Sequence, residues 1–291
     1  MYESSSCIRS SAGRTFLTLL FMCVTSNCLM GCRWIGLKKP VNPFAPEPVC
    51  VFPPDAAKEE IVAHINAQAS QLHSWRSSQV VIQLKQPGML PFKLSADMAV
   101  ESPMNFRLRA TSIAGAEADF GSNQDRFWFW VKRADYPYVM TAAHEDLGYA
   151  QQQLPIPFEP QWVMEAFGVK TIDPSQYEME NVRENRVNLI SHQTSASGRP
   201  VMKVIGFDLC SGYVVEHSLY DASSQLIARA TLGNHTRASD GVVVPYRVVL
   251  EWPQTGVNMK LDLLDAEINP PYTPETIWEL PTVAPVVQLG K

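Results

Sequence analysis

Asn105-Phe-Arg-Leu-Arg-Ala-Thr111 and, further along, Arg126-Phe-Trp-Phe-Trp-Val-Lys132 decide the fold. In the first, Phe106, Leu108 and Ala110 alternate with Arg107 and Arg109. A period of two places the apolar set on one face of a half-buried strand. In the second, it puts Phe127 and Phe129 on one side and Trp128 and Trp130 on the other, so both faces are aromatic. Outward from these stretches, residues 79–85 alternate in the same way, Pro87-Gly88 marks a turn, and 92–101 follow as another strand. Residues 116–120 and 138–142 complete the first run. A second run comprises 177–181, 187–191, 201–208, 213–220, 226–232, 242–252 and 257–268. Strands this close together pair antiparallel, because parallel neighbours need long crossovers. A sheet of about a dozen strands tends to curl or close.

The runs are separated by Leu154-Pro-Ile-Pro-Phe-Glu-Pro160, which has too many prolines for a central strand. Residues 161–167 suit a short helix ending at Gly168, and this insertion is expected to cover the sheet. Ahead of the strands, 55–74 suit an amphipathic helix capped by Asp55. Glu59 and Glu60 lie in its first turn, and Ile61, Ile65, Ala69 and Leu72 form one stripe. Residues 272–280 suggest a short helix or turn, and 282–291 a tail. The fold class expected is mainly β (α+β): a curved, unclosed antiparallel β-barrel with an N-terminal helix and a short helical lid.

The N-terminal part is of another kind. Arg9 and Arg14 precede an uncharged apolar run that ends at Leu29-Met30-Gly31-Cys32. A basic start, an apolar stretch and a small residue before the cut describe a secretory signal peptide. Leu-x-Gly-Cys resembles the lipobox of bacterial lipoproteins. That resemblance implies cleavage before Cys32 and acylation of its thiol and new amine, by palmitate-like chains. The organisation expected is a signal peptide over 1–31, a proline-rich tether over 32–54, one domain over 55–281 and the tail. Proline fixes φ and donates no hydrogen bond, so the tether stays extended. Arg33 follows Cys32 where some bacteria place a retention aspartate, which leans toward the outer membrane, facing the periplasm.

Composition narrows the functions. Net charge is −5, with 24 basic and 29 acidic residues and no basic run, which argues against a nucleic-acid partner. Of six cysteines, only Cys50 and Cys210 lie beyond Cys32. Export permits a disulfide between them, but sequence leaves their approach open. No paired metal-ligand spacing occurs, so no cofactor or metal is expected. The six histidines are dispersed. His144-Glu145-Asp146 reads as a turn, Ser211-Gly212 lacks a nucleophile-elbow pattern, and Asp208 with Glu216 is too little for a glycosidase. The chain is not expected to be an enzyme.

The order of helix, strands, proline-rich middle and strands resembles the bacterial carriers and receptors of lipoprotein sorting, the Lol system. The matching residues are Arg107-Leu-Arg109, Asp125-Arg-Phe-Trp-Phe-Trp130, Tyr220-Asp221, Pro245-Tyr-Arg-Val248, Ile268-Asn269-Pro270 and Trp278-Glu-Leu-Pro281. They span roughly 55–281. The resemblance implies a half-barrel with a lid over an apolar cavity that binds acyl chains without catalysis. It departs at Cys32, since the soluble carrier has no anchor. Expected partners are therefore a membrane, through the lipid anchor, and acyl chains or a lipoprotein. Phe106, Leu108, Phe127, Trp128, Phe129 and Trp130 are the candidate cavity lining. The alternatives are a non-catalytic structural or interaction platform of the envelope and, third, a hydrolase. A contiguous apolar interior with room for a chain favours binding, and one filled by Phe and Trp side chains favours the platform.

Overall fold

The computed structural model describes residues 49–290, apart from 135–136, 155, 157–158, 184, 196–197 and 239–240. The signal segment, Cys32 and most of the tether lie outside the described residues. The strands of the first run are β1 (Ser74–Lys85), β2 (Phe92–Glu101), β3 (Asn105–Ser112), β4 (Gly115–Ser122), β5 (Arg126–Val131) and β6 (Val139–Ala143). The second run has β7 (Glu178–Arg183), β8 (Arg186–Thr194), β9 (Pro200–Asp208), β10 (Tyr213–Asp221), β11 (Leu226–Arg237), β12 (Val243–Trp252) and β13 (Val257–Leu263). Two short strands follow, β14 (Glu267–Ile268) and β15 (Val286–Gln288).

All fifteen join one sheet, ordered β15-β6-β5-β4-β3-β2-β1-β13-β12-β11-β10-β9-β8-β7, with β14 beside β1. The two meanders meet where β1 pairs antiparallel with β13, from Val80 opposite Leu263 to Lys85 opposite Asn258. The outer strands β15 and β7 do not pair with each other, so the sheet curves without closing. Exposed, charged β7 blunts one open edge, because charge discourages further strand addition.

Among the described residues, three α-helices lie against the sheet: α1 (Lys58–Gln71), the single turn α2 (Leu147–Ala150) and α3 (Pro160–Ala166). The expected apolar stripe exists, but α1 starts three residues later than expected, at an Ala57 cap without a side-chain hydrogen bond. Asp55 does not cap it. Ile61 and Val62 of α1 pack on Val187 and Leu189 of β8 and on Ile205 and Phe207 of β9. The helix thus covers one end of the curved face rather than its middle. From α2, α3 and their flanks, Leu147, Leu154, Trp162, Val163, Met164 and Phe167 join the main core with Trp75, Phe106 and Phe127.

Two further expectations need correction. Strand β1 begins five residues early, at Ser74, where a polar start hid it. Asp265 accepts hydrogen bonds from Ser77 Oγ and Ser78 Oγ, at 2.7 Å each, and from Gln79 N at 3.0 Å. A register shift between Ser77 and Val80 accompanies this clasp. The stretch expected as a tail is docked: β15 runs parallel to β6, and Leu289 is buried.

Cys50 and Cys210 are paired across 160 residues of sequence. Beside the bond, Val51 N donates to Cys210 O and Phe52 N to Leu209 O. The start of the domain is thereby fixed to the β9–β10 turn. Closing so long a loop restricts the unfolded chain, so replacing both cysteines by alanine should cost roughly 2–4 kcal/mol. Urea denaturation of the oxidised and double-alanine proteins measures this; equal midpoints would show that the bond stabilises nothing.

Candidate functional site

The inner face of the sheet, beneath α1 and the 147–169 segment, is the candidate site. Alternation delivers one side chain in two to it from each strand. Phe106 and Leu108 of β3 and Phe127 and Phe129 of β5 point inward and are buried in the main core. Phe167, just after α3, is clasped there. Phe106 stacks on its ring at 5.9 Å, and Trp75 meets it edge-on at 5.6 Å while donating Nε1–H to its carbonyl. Trp162 of α3 is also buried, and among the described residues its indole N–H finds no acceptor. A buried donor without a partner is costly.

Trp128 and Trp130 lie on the opposite face, as alternation requires. They form a separate cluster with Val139, closed over by Leu280 and Ala284 of the C-terminal segment. A buried polar network organises this outer face. Arg107 pairs with Asp119 at 2.8 Å, lies over the Trp128 ring at 5.5 Å and donates to Ile277 O. Trp128 Nε1 donates to Asp119 Oδ1 at 2.8 Å.

Two spaces open beside the lid. One, of about 90 Å³, lies between α1, the end of the lid and strands β9 to β12. The other, of about 270 Å³, reaches Glu159, Arg199 and Leu219. None of Phe106, Leu108, Phe127, Trp128, Phe129 and Trp130 lines either space; all six are packed side chains. Between the spaces, Lys203 of β9 donates to both carboxylate oxygens of Glu165 on α3, at 2.9 Å each. Their side chains are about one-tenth exposed, so the lid is fastened by a buried ion pair. Glu159 is also buried, and the loss of solvent raises its carboxyl pKa.

Sequence reading missed this polar constellation. Glu165 and Lys203 are 38 residues apart, and only the non-local packing of α3 on β9 joins them. The histidines looked dispersed, yet His64, His217 and His235 all line the smaller space. Burial pushes the His217 pKa down from 6.5 to about 4. Folding therefore loses stability as pH falls from about 6.5 toward 4, because only the unfolded imidazole readily takes the proton. The loss should reach roughly 3 kcal/mol at most. Glu159, with a raised pKa, gives the opposite slope. Denaturation of wild type and His217→Phe between pH 7.5 and 4.5 isolates the histidine: the variant should lose less stability. Parallel curves would contradict this assignment.

Among the described residues, no group of three or more His, Cys, Asp and Glu is placed to hold a metal ion. No described helix is long and apolar enough to cross a membrane.

The arrangement is an open, curved, mainly antiparallel half-barrel with helices over its inner face. Solved structures share it. A Vibrio parahaemolyticus domain described as an outer membrane lipoprotein-sorting protein domain matches with a TM-score of 0.51 at 12% identity, covering 76% of this chain and 97% of its own. A DUF1329 family protein from Desulfovibrio piger gives 0.50 at 12% identity, covering 77% and 97%. A LolA superfamily protein from Nitrosomonas europaea gives 0.46 at 13%, covering 77% and 98%. No protein-family model and no curated protein matches the sequence. The first two likenesses show the fold.

Proposed function

We propose that this chain is an envelope lipoprotein, tethered through acylated Cys32 and probed by no catalytic chemistry, that holds acyl chains or a lipidated partner between sheet and lid. Sorting or transport of lipoproteins or lipids is the process this serves, at the outer membrane facing the periplasm. The observation that carries the reading is Trp162. Its buried indole N–H, on the lid over an apolar face, lacks an acceptor that an ester or amide carbonyl of an acyl ligand would supply. Phe106, Leu108, Phe127 and Phe129 would then meet the chain as the lid yields. Trp128 and Trp130 would support the sheet from behind. Each methylene buried contributes roughly 0.8 kcal/mol, so a long chain needs few polar contacts.

A second reading, the non-catalytic platform, is favoured by the Phe167 clasp, which fills the interior with aromatic side chains. Titration with a fluorescent fatty acid or lipopeptide separates the two. Saturable micromolar uptake is expected, and Trp162→Phe should weaken it about fivefold, the worth of one hydrogen bond. No uptake by wild type would remove the carrier reading and leave the platform.

A further inference from the structure

His217 of β10 is 7% exposed, and its ring makes no hydrogen bond with the described residues. It lines the smaller space. A buried polar group beside room for a guest is the signature of a recognition point rather than of packing. We propose that this space binds the uncharged, hydroxyl-bearing head of a single-chain amphiphile of the monoacylglycerol kind, with His217 as its hydrogen-bonding partner. The proposal rests on the acyl-binding reading and names the class of ligand.

Size, direction and charge each support it. The space of about 90 Å³ is several times the roughly 10–15 Å³ that a single water needs, so it has room for a small polar head. Burial keeps the imidazole neutral, so it offers one donor and one acceptor, and a hydroxyl answers both. His64 and His235 each place Nε2 at 3.0 Å from a backbone carbonyl, of Gly212 and Val214 respectively. In each, Nε2–H is therefore spent on a backbone carbonyl. His217 is thus the histidine of the three without a hydrogen bond among the described residues.

Charged heads fit less well. The two cations beside this space, Lys170 and Lys203, are already paired with Glu165, and a charged head buried here would need a partner of its own. Both Glu165 oxygens are engaged by Lys203, and Lys170, which also lines the space, lies 3.5 Å from the same carboxylate. At its inner end the space meets Leu72, Phe167 and Leu232, which belong to the main core. A chain joined to the head would run from there beneath the lid, toward the ring of Phe106 that stacks on Phe167.

The test titrates the purified full chain at pH 7.5 with 1-monolauroylglycerol and with laurate, which share one chain length. Wild type should bind the monoacylglycerol about tenfold more tightly, and His217→Phe should bring the two within about twofold. Equal or tighter laurate binding, or an unchanged preference in the variant, would overturn the proposal while leaving acyl binding standing. Failure to bind either would overturn both. Should the variant not fold, the ring-nitrogen resonances of His217 in wild type give the answer. They should shift with 1-monolauroylglycerol and not with dodecane, and the absence of a shift would overturn the proposal.

Discussion

Replacing Lys203 with methionine is expected to lower the unfolding free energy by roughly 3–5 kcal/mol. The side chain is nearly the same length, so the loss comes from charge. Lys203 Nζ sits 2.9 Å from each oxygen of Glu165, and both side chains are buried. Without it, the carboxylate keeps, among the described residues, the cation of Lys170, 3.5 Å away on a half-exposed side chain. A buried charge left with so weak a partner costs more than the intact pair contributes. The double variant Lys203→Met with Glu165→Leu should regain most of the loss, since well-packed apolar residues often replace a buried pair without penalty. Urea denaturation of the wild type and variants decides it. A single variant costing under about 1 kcal/mol, or a double variant no better than the single, would show that the pair does not fasten the lid.

Trp128 should give a loss of similar size from the other face. Its side chain is fully buried, and Trp128→Ala should cost roughly 3–5 kcal/mol through lost packing. The ring is also the reason for a glycine. Opposite Trp128 in the β4–β5 ladder stands Gly121, where an added Cβ would come 2.0 Å from Trp128 Cζ2. Gly121→Ala should therefore cost roughly 1–3 kcal/mol in wild type, from overpacking, and much less once Trp128 is alanine. A double-mutant cycle in urea measures the coupling. Additive losses would mean that the indole moves aside freely and that the outer aromatic layer is loosely held.

These two sites show how differently parts of the molecule could be read from sequence. Strand β2 was expected over 92–101 and is found there, because a period of two and flanking turn residues act locally. The opposed faces of β5 were legible for the same reason. What covers each face was not. The clusters that bury Phe127 and Trp128 come from residues 147–169 and 280–284, tens of residues away or more. Prolines in both segments made them look like connections and tail. The residues that carried the family likeness have structural explanations here. Arg107 holds Asp119 beneath the C-terminal segment. Asn269 accepts from His73 N and Ser74 N and donates to Gln71 O, tying the end of α1 to the start of β1. The histidine-lined space was the least legible feature, since each histidine comes from a different element and none has a sequence neighbour that marks it.

The central claim is that sheet and lid enclose an acyl ligand in a chain anchored by its own lipid. Native mass spectrometry of the full chain purified from membranes addresses both halves. The account predicts a covalent acyl mass on an N-terminal Cys32 that survives denaturation. It also predicts one further acyl lipid per chain that denaturation removes. A covalent mass with no removable lipid, in protein that also takes up none when offered, would contradict the claim and leave the fold without its proposed cargo.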